Sequence, residues 1–277
     1  MILILKIIKS YTKRNILYLH FILKMTIINN IMKWFFPNTI EFENSCLLEW
    51  IPKNNLNWNY LCLNTNPRVM YILEQDIKKL EWSFISGNPN AISILEKNEK
   101  YWDYVYLCKN INAVHLIQKH PYRIYWPDLS LNPSAIDLLE KNPDKIIWSY
   151  LSGNPNAIHL LEQNPEKINW DYLSMNPSAI HLLEKNPEKI DWDSLSMNPN
   201  AIHILEKNPE KIRWVWLSMN PSAIHLLEKN QDKINWKMLS MNPSAIHLLE
   251  KNQDKINWLN ISRNPGIFKE ELLYICK

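Results

Sequence analysis

The chain has 277 residues, with 31 Lys+Arg against 28 Asp+Glu and a net charge of +3; 46% of it is hydrophobic, enough apolar material to argue against wholesale disorder. Its three glycines, Gly87, Gly153 and Gly266, are far apart. That excludes a Walker loop, a dinucleotide fingerprint and a nucleophile elbow, each of which needs clustered glycines. Cys46, Cys62, Cys108 and Cys276 form no C-x-x-C pair, so the sequence supports neither a zinc site nor a disulfide framework.

Residues 1–40 carry Lys6, Lys9, Lys13, Arg14, Lys24 and Lys33 and no acid, leaving 25 bases against 28 acids, or −3, for the rest. Apolar runs at Met1–Ile8 and Asn15–Leu23 are interrupted by lysines well short of the ~20 residues needed to span a bilayer. Three readings stand side by side here: a helix capping the first repeat, a membrane-surface or targeting helix (membrane contact by residues 1–36), and a start at Met25.

From residue 66 the sequence repeats every 22 residues. Nine units run without insertion to residue 263, from NPRVMYILEQDIKKLEWSFISG (66–87) to NPSAIHLLEKNQDKINWLNISR (242–263). A degraded unit at 42–65 precedes them, and 264–277 reads as a C-terminal cap. The whole of 41–277 is thus expected to be one repeat solenoid, its atypical ends covering exposed apolar faces.

The unit 176–197 shows the physics. Asn176-Pro177 is a helix start, and Ala179, Ile180, Leu182 and Leu183 make one apolar stripe. Asn186-Pro187 stops that helix. Glu188-Lys189-Ile190 makes a turn, and Asp191 caps a second short helix in which Trp192 and Leu195 face inward. Neither helix is stable alone, so the seven apolar positions of each unit must be buried against its neighbours. The expected fold is all-α: an α-solenoid of helix-turn-helix repeats about 10 Å apart. A leucine-rich-repeat-like horseshoe is the alternative, because Leu195-x-x-Asn198 echoes that family's closing motif.

His115, His159, His181, His203, His225 and His247 share one place in the repeat. At that spacing two of them cannot both approach one zinc within ~2.1 Å, so a solvated or inter-unit hydrogen-bonding column is expected. The acid-base-acid-base set Glu184, Lys185, Glu188 and Lys189 cancels within its unit and reads as a solubilising face. No paired carboxylates and no nucleophile–base pair stand out from the repeat, so neither an enzyme nor a cofactor is expected.

Variation concentrates in the residue before the Trp and the two after it. The candidate partner strip is Asn169, Asp171, Tyr172, Asp191, Asp193, Arg213, Trp216, Asn235, Lys237 and Asn257, with Trp216 as an exposed anchor. The motif N-P-[NS]-A-I-H-L-L-E-K-N-P-[ED]-K-I-x-W-x-x-L-S resembles that of uncharacterised 22-residue-repeat proteins of giant (Mimivirus-like) DNA viruses, over about residues 42–265. The resemblance implies an intracellular setting in the cytoplasm of an infected host cell, and brings no catalytic residues with it. The expected function is a non-enzymatic scaffold for a host or viral protein partner. A nucleic-acid-binding helical array is the alternative, disfavoured by the −3 body.

Overall fold

The computed structural model describes residues 47–269. The readings of residues 1–40, and most of the cap beyond 264, lie outside the described residues. The description concerns the second of the chain's two units, 46–277.

Each repeat has three helical pieces. In the unit beginning at Asn176, the asparagine Oδ1 accepts the Ser178 N–H at 2.9 Å and folds Pro177-Ser178 into a tight turn. A leading helix follows at Ile180–Lys185, with Ala179 rather than Asn176 in its N-cap place. Asn186 and Pro187 end it, and Pro187–Lys189 forms a single 3-10 turn. The Trp helix spans Trp192–Met197, and Asp191 Oδ1 caps it by accepting the Ser194 N–H at 2.8 Å. The helices are where the apolar spacing puts them, and the array is all-α. Among the described residues no strand occurs, only one isolated antiparallel bridge, Leu47 to Phe268, which sets the horseshoe aside.

The core is narrower than seven positions per unit. Ala179, Leu183 and Leu195 have no exposed surface, as do most of their equivalents around the array, whereas Ile180, Leu182, Ile190 and Trp192 are half-buried. The indoles lie at the edge of the core, and a cation from the following unit covers many of them. Lys189 Nζ sits 4.6 Å above the Trp170 ring, and Lys167, Lys233 and Lys255 do the same for Trp148, Trp214 and Trp236.

Two buried polar ladders tie the units together. Ten asparagines, Asn64, Asn88 and then every twenty-second residue to Asn264, are buried. Each donates twice to backbone carbonyls of earlier units: Asn176 Nδ2 reaches Asn154 O, at the start of the preceding unit, and Ser152 O, near the end of the one before it, both at 3.0 Å. At this ladder one asparagine side chain plus a hydrogen bond spans neighbouring backbones, a closer approach than the ~10 Å expected of packed helices. The closing Leu-x-x-Asn is therefore used for inter-unit bonding, but between helices. The second ladder is serine. Ser174 Oγ donates to Trp170 O at 2.7 Å and accepts the Asp191 N–H at 3.0 Å. Cys108 takes that place in its unit, its Sγ accepting the Tyr125 N–H at 3.3 Å.

Both ladders run on from the last unit into the first. Asn64 Nδ2 donates to Ser262 O at 3.0 Å and Asn264 O at 2.9 Å, and the Asn57 N–H donates to Ser262 Oγ at 2.9 Å. These are the bonds every other junction makes, so the array is a closed ring of ten units, one per ladder asparagine. The atypical ends cover each other: Leu48 N–H donates to Ile267 O at 2.9 Å, and Lys269 Nζ lies 3.3 Å from Glu49 Oε1. Gly266 is pressed between units here; a Cβ on it would lie 2.7 Å from Pro243 O. The two extra residues of the first junction fall just after Asn64, where Asn66 Oδ1 makes a second tight turn by accepting the Arg68 N–H at 3.0 Å.

Candidate functional site

In a closed ring, equivalent parts of neighbouring units lie closer together the nearer they are to the axis. Consecutive Trp helices pack directly on one another, Trp170–Met175 on Trp192–Met197 and, across the junction of the ends, Trp258–Ser262 on Trp58–Leu61. Consecutive leading helices are bridged by long side chains. The Trp helices are therefore the inner layer. Within each, the third and fourth residues after the Trp (Leu195 and Ser196) are buried toward the outer layer. Helical geometry then turns the first, second and fifth residues after the Trp to the inner face. Ten helices at ~8–10 Å spacing place their axes about 13–16 Å from the centre. Subtracting ~5–6 Å for helix and side chains leaves room for a helix or an extended segment.

The strip expected from the sequence falls into separate roles. Asn169, Asp191, Asn235 and Asn257 are N-caps of their Trp helices, accepting from Tyr172, Ser194, Met238 and Asn260 N–H groups. Arg213 holds the same place without capping, as do Glu81, Tyr125 and Ile147 in earlier units. Asp171, Asp193 and Lys237 are exposed, while Tyr172 is half-buried. Trp216 is half-buried too, not a free anchor: its Nε1 donates to Asp193 Oδ2 at 3.2 Å. Arg213 Nε lies 2.9 Å from Asp193 Oδ1, so Asp193, Arg213 and Trp216 form one bridge between units. The cause is curvature: the inner positions of adjacent units converge, and side chains that a straight array would hold apart meet.

The other half of the inner face lies in the earlier, less regular units. The second residue after the Trp is Tyr60, Phe84, Asp128, Tyr150 or Tyr172, and Tyr106 where Tyr104 replaces the Trp. Phe84 and Tyr106 meet edge-on at 5.8 Å, and Tyr150 and Tyr172 at 5.2 Å. Burial and the neighbouring Tyr150 push the Tyr172 hydroxyl pKa up. Asp128 is 7% exposed; burial raises its carboxyl above the usual range, and Lys109, 3.5 Å away, partly offsets this. The spacing of these aromatics is legible in the sequence once rows are compared by column.

On the outer layer the histidine column is an inter-unit bonding column. His159, His181, His203, His225 and His247 each place Nε2 2.8–3.0 Å from a glutamate of the preceding unit, and His115 lies 3.7 Å from Glu96. Among the described residues no group of three or more His, Cys, Asp or Glu is placed to hold a metal ion. None of their helices is long and apolar enough to cross a membrane. No family model, curated protein or solved structure matches the chain.

Proposed function

We propose that the chain is a non-enzymatic scaffold whose ring receives a segment of a protein partner on its inner face. The observation that carries this reading is the separation of frame from face. The buried asparagine and serine/cysteine ladders recur at every junction, while the varied side chains gather on the inner side of the Trp helices. A constant frame with a varied face is how repeat proteins build partner surfaces. The resemblance to giant-virus repeat proteins supports a host or viral partner in the cytoplasm of an infected cell. The inner face carries charges of both signs, Asp128, Asp171 and Asp193 beside Lys109, Lys237 and Arg263. That disfavours a phosphate backbone, which needs a concentrated positive surface.

The test compares co-purification by the native chain and by the triple variant Asp193→Ser, Arg213→Asn, Trp216→Ser, with matched melting curves. The reading expects a partner captured by the native chain and lost from the variant. A partner retained in full by the variant removes this part of the face from the account. Capture that disappears steeply with added salt, and is replaced by bound nucleic acid at low salt, favours the other class.

A further inference from the structure

Around the inner face, aromatic rings at the second place after the Trp pair off: Phe84 with Tyr106, and Tyr150 with Tyr172. Between the two pairs the column is broken by Asp128. Its side chain is a ring shorter than its neighbours, and its carboxylate is buried.

An ammonium already sits beside that carboxylate. Lys109 comes from the preceding unit and places Nζ 3.5 Å from Asp128 Oδ2 and 5.0 Å from the centre of the Tyr106 ring. Gly, Leu, Met or Arg occupies the Lys109 place in every other unit, so lysine and aspartate occur together at this junction alone. A carboxylate beside an aromatic face favours alkylammonium groups over neutral chains. The Lys109 side chain is 48% exposed, so its ammonium can return to water without crossing the core.

The geometry points to a lysine-binding cage: the Tyr106 ring and the Asp128 carboxylate take the side-chain ammonium of a lysine on the partner in exchange for that of Lys109. Lys109 is then an internal occupant that holds the cage closed until a better-placed lysine arrives. The proposal rests on reading the inner face as the partner surface and adds the chemistry of what enters it. Its test uses a small molecule, so the cage can fail while capture through Asp193, Arg213 and Trp216 still stands.

The probe is N-acetyl-lysine amide, with N-acetyl-norleucine amide, which keeps the four-carbon stem and lacks the ammonium, as the uncharged control, read by thermal shift on the full chain. Lys109→Met empties the cage. The lysine probe is expected to raise its melting temperature at a concentration about tenfold lower than the native chain needs, since the internal ion pair and cation–π contact no longer compete. Norleucine amide should produce no shift, and neither probe should act on Lys109→Met/Asp128→Asn. Equal responses from native, single and double variants, or no response from Lys109→Met, overturn the cage. Should Lys109→Met not fold, the tyrosine ring resonances of the native chain give a second readout. Lysine amide is expected to move them and to lose that effect in Tyr106→Leu; unmoved resonances in the native chain, or an effect that survives in Tyr106→Leu, overturn the proposal.

Discussion

Asn64 donates to the carbonyl of Asn264 at 2.9 Å across 200 residues of sequence, the same bond that Asn176 makes to Asn154 across 22. The first and last units are therefore neighbours like any other two. Replacing a ladder asparagine by alanine strands two buried carbonyls, a loss of about 2–4 kcal/mol. Asn64→Ala and Asn176→Ala are expected to lose similar amounts in urea denaturation. In an open array Asn64 would belong to a fraying end, and its loss would be much the milder.

The thiols at Cys62 and Cys108 stand where other units have serine, and both are fully buried. Burial pushes the Cys108 thiol up to about 11, so at pH 8 it is almost wholly protonated and shielded. Alkylating reagents should leave these two residues unmodified until the ring unfolds, as peptide mapping can show. Cys108→Ser restores the oxygen used elsewhere in the ladder and should change stability by less than about 1 kcal/mol.

Asp128 responds to pH in the sense opposite to a salt-bridged surface acid. Its carboxyl holds its proton more tightly in the ring than in the unfolded chain, because burial outweighs the help from Lys109. Ionised Asp128 therefore costs stability at pH values above its raised folded pKa. The cost shrinks as pH falls through that value and is gone below the unfolded value near ~4. Asp128→Asn should melt higher than the native chain at pH 7, and the difference should close as the pH is lowered toward 4.

The outer histidines contrast with the ladders. His181 and Glu162 approach to 3.0 Å, yet both side chains are about half exposed. Exposed pairs of this kind contribute ~0–1 kcal/mol. His181→Ala should thus shift the urea midpoint far less than Asn176→Ala, and high salt should shrink the His181→Ala shift further.

The local helices were legible in the sequence because proline, capping residues and apolar spacing act within a few residues. Asp191 caps as its place before Trp192 implies, and Pro187 breaks the chain where it must. Asn176 was legible only as a polar residue at a helix start. Its amide donors go to carbonyls 22 and 24 residues earlier, and nothing in the local sequence names that partner. Closure was hidden for a related reason. It depends on the turn per unit summing to a full circle, a property of the packing of Leu183, Leu195 and their equivalents taken together. The half-burial of Trp216 and the bridge from Asp193 to Arg213 follow from that curvature. A flat reading of the repeat put these side chains on an open strip.

Closure is tested most directly by a cysteine pair at Leu47 and Phe268, the two residues bridged where the ends meet, with the native cysteines replaced by serine. The ring predicts an intramolecular disulfide that forms in dilute solution, migrates as a compact monomer on a non-reducing gel and raises the melting temperature. Free thiols in the folded monomer, or disulfides appearing only between chains, would show that the ends do not meet and that the array is open.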